Sequence, residues 1–297
     1  MEKMLLAEGL EFSRIIQGFW RLKDWSWSEK DLARFLDQLI DHGITTFDHA
    51  DIYGDYECER IFGKAFDQSK RDKIQLVSKC GIKLVSDKYP ERKISIYDYS
   101  YDHIIQSVEN SLKNFKTDYL DLLLLHRPSP FFDPEEVVKA FEYLLHSGKV
   151  MFFGVSNFTP LQFDTLQSFW KRKLVTNQVE VSPLHLEHFD NGNMDFFLKN
   201  EIHPMIWSPM ARGKVFYPET VKEKAVYQKI VQISDDLNCA PETVVYAWLL
   251  KHPVKMMPIV GTHRWDRVEK ALAALKLEMS LEQWFEIYIA SKGEPLP

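Results

Sequence analysis

Four residues of this chain have the types needed to move a proton to or from a carbonyl oxygen: Asp48, Tyr53, Lys79 and His126. Three of them follow apolar runs, Asp48 after ITTF, Lys79 after IQLVS and His126 after YLDLLLL. Such runs read as buried parallel strands, and an all-apolar pattern would not end in a charged or titratable group. A lysine at the end of a buried strand needs a carboxylate, and Asp48, one strand away, supplies it. The ammonium in turn acts on Tyr53. An unperturbed phenol titrates at about 10 and is a poor acid near neutrality, and a neighbouring cation lowers that value by favouring the phenolate. Such a phenol protonates an alkoxide forming from a carbonyl, while His126 donates a hydrogen bond that orients the carbonyl oxygen. No protein side chain supplies the hydride this reaction needs, so the group implies a nicotinamide cofactor.

Singly, each residue has a structural reading: Asp48 as a helix cap, His126 as a satisfied core histidine. Their shared position at strand ends favours chemistry, because barrels of alternating strands and helices carry their active sites at the carboxyl ends of the strands. Eight runs qualify as strands: IIQGFW from Ile15, ITTF from Ile44, IQLVS from Ile74, DLLLL from Asp121, MFFGV from Met151, NQVEV from Asn177, HPMIW from His203 and MMPIV from Met256. Amphipathic stretches lie between them. SEKDLARFLDQLIDHG starts at a Ser28 cap and stops at Gly43, and DPEEVVKAFEYLLHSGK has Asp133 before Pro134 and Gly148 at its end. The pattern predicts a single-domain (β/α)₈ TIM barrel over residues 1–297, with an open doubly wound sheet as second choice. KMLLAEGLEFS, with its Glu8-Gly9 turn, predicts an N-terminal β-hairpin on the barrel floor, and SLEQWFEIYIASK an extra C-terminal helix.

The composition narrows the partners. A chain of 297 residues that is 45% hydrophobic can bury a large core, and its net charge of -6 offers no broad attraction to nucleic acid or to anionic membranes. A small-molecule carbonyl substrate fits better; the oligomeric state is not legible. The start MEKMLLAEGLEF lacks the pattern of a secretory signal, and no run reaches the roughly 18 apolar residues of a membrane span. Cys58, Cys80 and Cys239 are odd in number and widely spaced, which argues against a disulfide framework and for a reducing, cytoplasmic setting. Cys80 reads as a buried hydrophobe before it reads as a reactive thiol.

No two glycines are separated by one residue, so the G-x-G-x-x-G fingerprint is absent, and so is the P-loop. The alternative in a barrel is a phosphate site after the last strands, where PIVGTHRWDRVEKALAAL carries Gly261, Thr262, Arg264 and Arg267 into a helix. A solvated helix start is an equal reading there. HLEH at His185 to His188 has two histidines at helical spacing but no evident third ligand, so no metal is expected. The segment from Gly81 to His103 is long for a loop of a βα unit and suits a role in substrate access, while YDYSY from Tyr97 reads as loop packing or substrate contact.

Asp48 and Tyr53 within DHADIYGDYECERIFG, Lys79 in VSKCG and His126 in LLLLHRP together resemble the catalytic tetrad of the aldo-keto reductases. GVSNF and NQVEVSP resemble that family's cofactor segments, in register from Gly18 to about Leu275, and the overall wording is similar to the family's bacterial YdhF-like oxidoreductases. The resemblance implies a carbonyl reductase using NADPH, with NADH as a second donor. Tyr53 would be the general acid, Lys79 and Asp48 its tuning pair, and His126 the orienting donor. Ser156, Asn157 and Gln178 would bind the nicotinamide carboxamide, Trp207 would stack on its ring, and Ser208, Met210 and Arg212 would line the pyrophosphate. Trp20 would join Tyr53 and His126 in the substrate pocket, and Thr262, Arg264, Arg267 and Lys270 would hold the 2′-phosphate. Gly261 stands where many relatives have lysine and Ala271 where many have asparagine, which thins the clamp. His49 replaces a small hydroxyl residue. A rival reading is a redox-sensing regulatory module of the same family with slow turnover. An aldolase-like barrel with Lys79 as Schiff-base nucleophile would leave Asn157, Gln178 and Arg267 without a purpose.

Overall fold

The structure, a computed structural model, describes residues 2–296. Its strands are β1 Lys3–Ala7, β2 Leu10–Ser13, β3 Ile16–Gly18, β4 Thr46–Asp48, β5 Gln75–Cys80, β6 Ile82–Lys83, β7 Ile96–Tyr97, β8 Leu120–Leu125, β9 Val150–Ser156, β10 Asn177–Glu180, β11 Met205–Trp207 and β12 Met257–Val260. The eight expected runs form a closed parallel barrel in the order β10, β11, β12, β3, β4, β5, β8, β9, so the barrel holds and the open sheet does not. The chain groups into two compact units, residues up to Asn177 and residues from Gln178 onward.

In the first unit the apolar runs become strands because both their faces are covered: Leu122, Leu124 and Leu125 are fully buried. The helices start where capping chemistry allows. Ser28 accepts from the Asp31 N–H ahead of Glu29–Asp41, and Asp133 accepts from the Glu135 and Glu136 N–H groups ahead of Pro134–His146. The β1–β2 hairpin forms as expected, and the Ser13 and Thr46 hydroxyls each accept from the other's N–H at the amino end of β4, the end away from the strand-end residues. Gly81, just past Lys79, sits at φ 101° with the Tyr99 ring where a side chain would stand; only glycine fits this exit from β5.

In the second unit the C-terminal helix Leu281–Lys292 packs on Pro241–Lys251 through a reciprocal pair. The Trp248 and Trp284 indoles each donate to the other's carbonyl, at 3.1 and 3.0 Å, with rings stacked 5.3 Å apart. Among the described residues no helix is long and apolar enough to cross a membrane.

Candidate active site

Register places the strand-end residues on one face. Asp48 pairs with Val77, so Lys79, two residues on, points to the same side as Val77. Lys79 pairs with Leu124 and Leu124 with Gly154, so His126 and Ser156 share that side. Gly18 pairs with Asp48, and Trp20 stands in the turn two residues past Gly18, with its side chain exposed. Cys80, one residue out of phase, points away, and burial pushes its thiol well above its ordinary range, with Asp51 adding to the effect. It is an inert core residue.

The Lys79 ammonium is buried and donates to both Asp48 oxygens at 2.8 and 2.9 Å, to the His49 carbonyl at 2.6 Å and to the Tyr53 hydroxyl at 3.1 Å. Burial pulls its pKa down, but Asp48 and then Tyr53 more than offset this, and the amine titrates above its ordinary value. It is a cation whose surroundings are acceptors. The Tyr53 ring is half-buried and meets His126 edge-on at 5.8 Å.

The direction of the Tyr53 shift corrects the sequence-based expectation. Burial raises the phenol's pKa above 10.0, and Lys79, which favours the phenolate, does not reverse it, in part because Asp48 opposes it. The hydroxyl therefore keeps its proton through neutral pH. His126 is held neutral: burial, then the charges of Lys79 and Arg127, push its pKa well below 6.5. A neutral imidazole has one N–H to give, and its buried Nδ1 has no partner among the described residues.

His49 has a physical account in the structure. Its ring stacks on Phe19 at 4.6 Å and meets Phe62 and Phe115 edge-on at 4.8 and 4.9 Å, and burial holds it neutral. The ring fills an aromatic box and fixes the carbonyl that Lys79 uses. Tyr99, from the YDYSY segment, accepts from the Arg127 N–H at 3.0 Å and donates to the Arg127 carbonyl at 2.5 Å, which sets the backbone just after His126.

Beyond β9, Asn157 takes a left-handed φ of 63° and donates from its amide to the Ser156 hydroxyl at 2.8 Å and to the His126 carbonyl at 3.4 Å. In the second unit Gln178 and Trp207 lie on one face of β10 and β11, since Gln178 pairs with Met205 and Glu180 with Trp207. Past Trp207 the backbone is left-handed at Ser208, Ala211 and Arg212, with φ 51°, 47° and 58°, and Met210 accepts from Gly213 at 2.8 Å. Backbone of this kind persists at ligand sites because surrounding structure over-determines it.

The helix Trp265–Ala274 begins at Arg264, whose side chain makes no cap bond, and the Thr262 hydroxyl accepts from the Arg264 N–H at 3.2 Å. Arg264 pairs with Asp266 at 2.9 Å and Lys270 with Glu242 at 2.6 Å. Arg267 is exposed and in no ion pair among the described residues. A Cβ at Gly261 would meet nothing within 4 Å. The hydroxyl and amide donors after β9, and separately the guanidinium groups near the start of the helix Trp265–Ala274, are of the types that bind a nicotinamide cofactor.

HLEH does not form a helical pair. His185 lies in a turn before the short helix Glu187–Asp190, and His188 Nδ1 is taken by Asn191 and Asn193 at 3.2 and 2.9 Å. Among the described residues no group of three His, Cys, Asp or Glu is placed to hold a metal ion. Sequence reasoning missed Tyr56, whose hydroxyl accepts two hydrogen bonds from the segment after Lys79; nothing in its spacing marks it.

The model of the aldo/keto reductase family matches residues 14–292. The chain is 46% identical to the uncharacterized oxidoreductase YcsN of Bacillus subtilis over 100% of both chains. It is 43% identical to the oxidoreductase YdhF of Escherichia coli, covering 99% of this chain and 98% of that one. It is 39% identical to a 6-dehydroglucose reductase of Agrobacterium fabrum, over 99% of each. A crystal structure of the thermostable aldo-keto reductase Tm1743 with the inhibitor epalrestat superposes with a TM-score of 0.81 at 25% identity, covering 98% of this chain and 99% of that one. This chain belongs to the aldo/keto reductase family of oxidoreductases.

Proposed function

We propose that this protein is a cytoplasmic carbonyl reductase that uses NADPH to convert an aldehyde or ketone to an alcohol, with Tyr53 as the acid. The observation that carries the reading is the Tyr53 hydroxyl 3.1 Å from a Lys79 ammonium that Asp48 holds through both oxygens. When bound, the reduced nicotinamide supplies the hydride. The chain's own residues do the rest. His126 gives its single N–H to the carbonyl oxygen and fixes its direction. As negative charge grows on that oxygen, Tyr53 transfers its proton to it, and Lys79 stabilises the phenolate left behind. Asp48 keeps the ammonium in place and charged. Ser156, Asn157 and Gln178 would hold the carboxamide, Trp207 would stack on the ring, and Ser208, Met210 and Arg212 would bind the pyrophosphate. The test is a panel of aldehydes, ketones and quinones with NADPH and with NADH. A dehydrogenated sugar belongs first in it, because the Agrobacterium relative is a 6-dehydroglucose reductase.

His126→Ala removes the orienting donor and leaves the acid in place, so kcat/KM should fall on the order of 10²-fold. Steady-state kinetics on several carbonyls checks this, and unchanged activity across them would make His126 a packing residue.

The 2′-phosphate would fall to Thr262, Arg264, Arg267 and Lys270, with Gly261 adding no charge. Arg264 and Lys270 already face carboxylates, so Arg267 should dominate. A guanidinium–phosphate bond contributes about 1.5–3 kcal/mol, so Arg267→Ala should weaken NADPH binding roughly 10- to 100-fold and leave NADH almost unchanged. Tryptophan fluorescence titration with both cofactors reads this. Equal weakening of the two would remove the preference for the phosphorylated cofactor.

A further inference from the structure

The residues after Tyr53 adopt a backbone that side chains resist. Gly54, Asp55 and Tyr56 are all left-handed, at φ 59°, 58° and 62°. Single glycine, asparagine or aspartate residues visit this region; a bulky side chain there, at the end of a run of three, persists only where its surroundings over-determine it. Gly54 also has no room for a side chain, since a Cβ would meet the Cys58 sulfur at 2.5 Å and Lys23 Cβ at 3.0 Å.

The contacts that hold this turn converge on Tyr56. Its hydroxyl accepts from the Leu84 N–H and from the Arg92 guanidinium, both at 2.9 Å. Its ring meets Tyr89 edge-on at 5.0 Å, and Arg92 lies over the Tyr89 ring at 3.6 Å. Lys88 donates to the Tyr56 carbonyl at 3.3 Å and pairs with Glu57. All these partners lie between Leu84 and Arg92, in the long segment that leaves β5 just after Lys79.

We propose that Tyr56 is a positioning residue for the acid: by fastening residues 84–92 it holds the left-handed turn, and the turn holds the Tyr53 hydroxyl on Lys79. The segment suited to shaping substrate access and the geometry of proton delivery are then one mechanical unit. The inference rests on the carbonyl-reductase reading.

Tyr56→Phe removes the hydroxyl and keeps the ring. Turnover should fall about tenfold, since small misplacements of a reacting group are costly, while NADPH binding stays unchanged. Amide hydrogens of residues 52–58 and 84–92 should exchange faster together. Arg92→Ala should act in the same direction and serves if Tyr56→Phe folds poorly, and Arg92→Lys should recover part of the loss. Added to Tyr53→Phe, Tyr56→Phe should cost nothing more, because the turn acts only through Tyr53. Full turnover in Tyr56→Phe, a loss confined to KM, or an undiminished tenfold loss on top of Tyr53→Phe would each overturn the proposal. Full activity of Tyr53→Phe itself would remove Tyr53 as the acid and overturn the proposal with it, whereas a wild-type protein that reduces no carbonyl would overturn the carbonyl-reductase reading instead; faster exchange confined to 84–92 would reduce Tyr56 to a loop brace and overturn the proposal.

Discussion

Replacing Tyr53 with phenylalanine is expected to cut carbonyl reduction by at least about a hundredfold, the low end of what a general acid contributes, while cofactor binding stays nearly intact. The substitution keeps the ring that meets His126 and removes only the hydroxyl on Lys79. Its effect belongs in kcat and kcat/KM alike, because the proton moves in the transition state and not on binding. The wild-type pH profile should agree with the burial of the phenol. Tyr53 titrates above 10.0 and must carry its proton to act as the acid, so reduction should stay level through neutral pH and decline only in the alkaline range of the phenol. Near-wild-type turnover in the variant would take the acid's role away from Tyr53.

Asp48→Asn should be the most damaging change to stability. It leaves the Lys79 ammonium, whose side chain is 0% exposed, without a counter-charge, and breaking a buried pair in this way typically costs about 3–5 kcal/mol. The Lys79 pKa is raised above 10.5 in the folded protein, so the wild-type contribution is fully present below that pH and is lost as the pH climbs through the folded value. Without Asp48, burial becomes the leading influence and pulls that pKa down, so the variant should lose least, relative to wild type, in alkaline solution. Urea unfolding at neutral and alkaline pH measures both. Adding Lys79→Met should return much of the lost stability, and a single variant as stable as wild type would show that the pair carries no buried charge.

The barrel was legible because its signal is redundant. Each strand is a short apolar run whose neighbours are amphipathic helices with visible caps, and Ser28 and Asp133 cap where their types predict. The meeting of Asp48, Lys79 and Tyr53 was legible for an electrostatic reason, since a lysine at that depth needs an acceptor. What escaped the sequence depends on magnitudes or on backbone geometry. The sign of the Tyr53 shift is a contest between burial and one ammonium, and only the packing decides it. The purpose of His49 depends on three phenylalanines brought from Phe19, Phe62 and Phe115. The place of Tyr56 depends on a left-handed turn that no propensity scale anticipates at an Asp-Tyr pair. Whether HLEH is helical was not legible, because spacing alone does not say where a helix starts, and here it begins two residues after His185.

The most direct test follows the hydrogen itself. Supply the protein with NADPH deuterated at the transferring position of the nicotinamide and with each carbonyl of the panel, and analyse the products by mass spectrometry. The account predicts an alcohol with deuterium on the former carbonyl carbon, formed one for one with oxidised cofactor and lost in Tyr53→Phe. Cofactor that stays reduced with every carbonyl offered, or an alcohol without deuterium at that carbon, would contradict it.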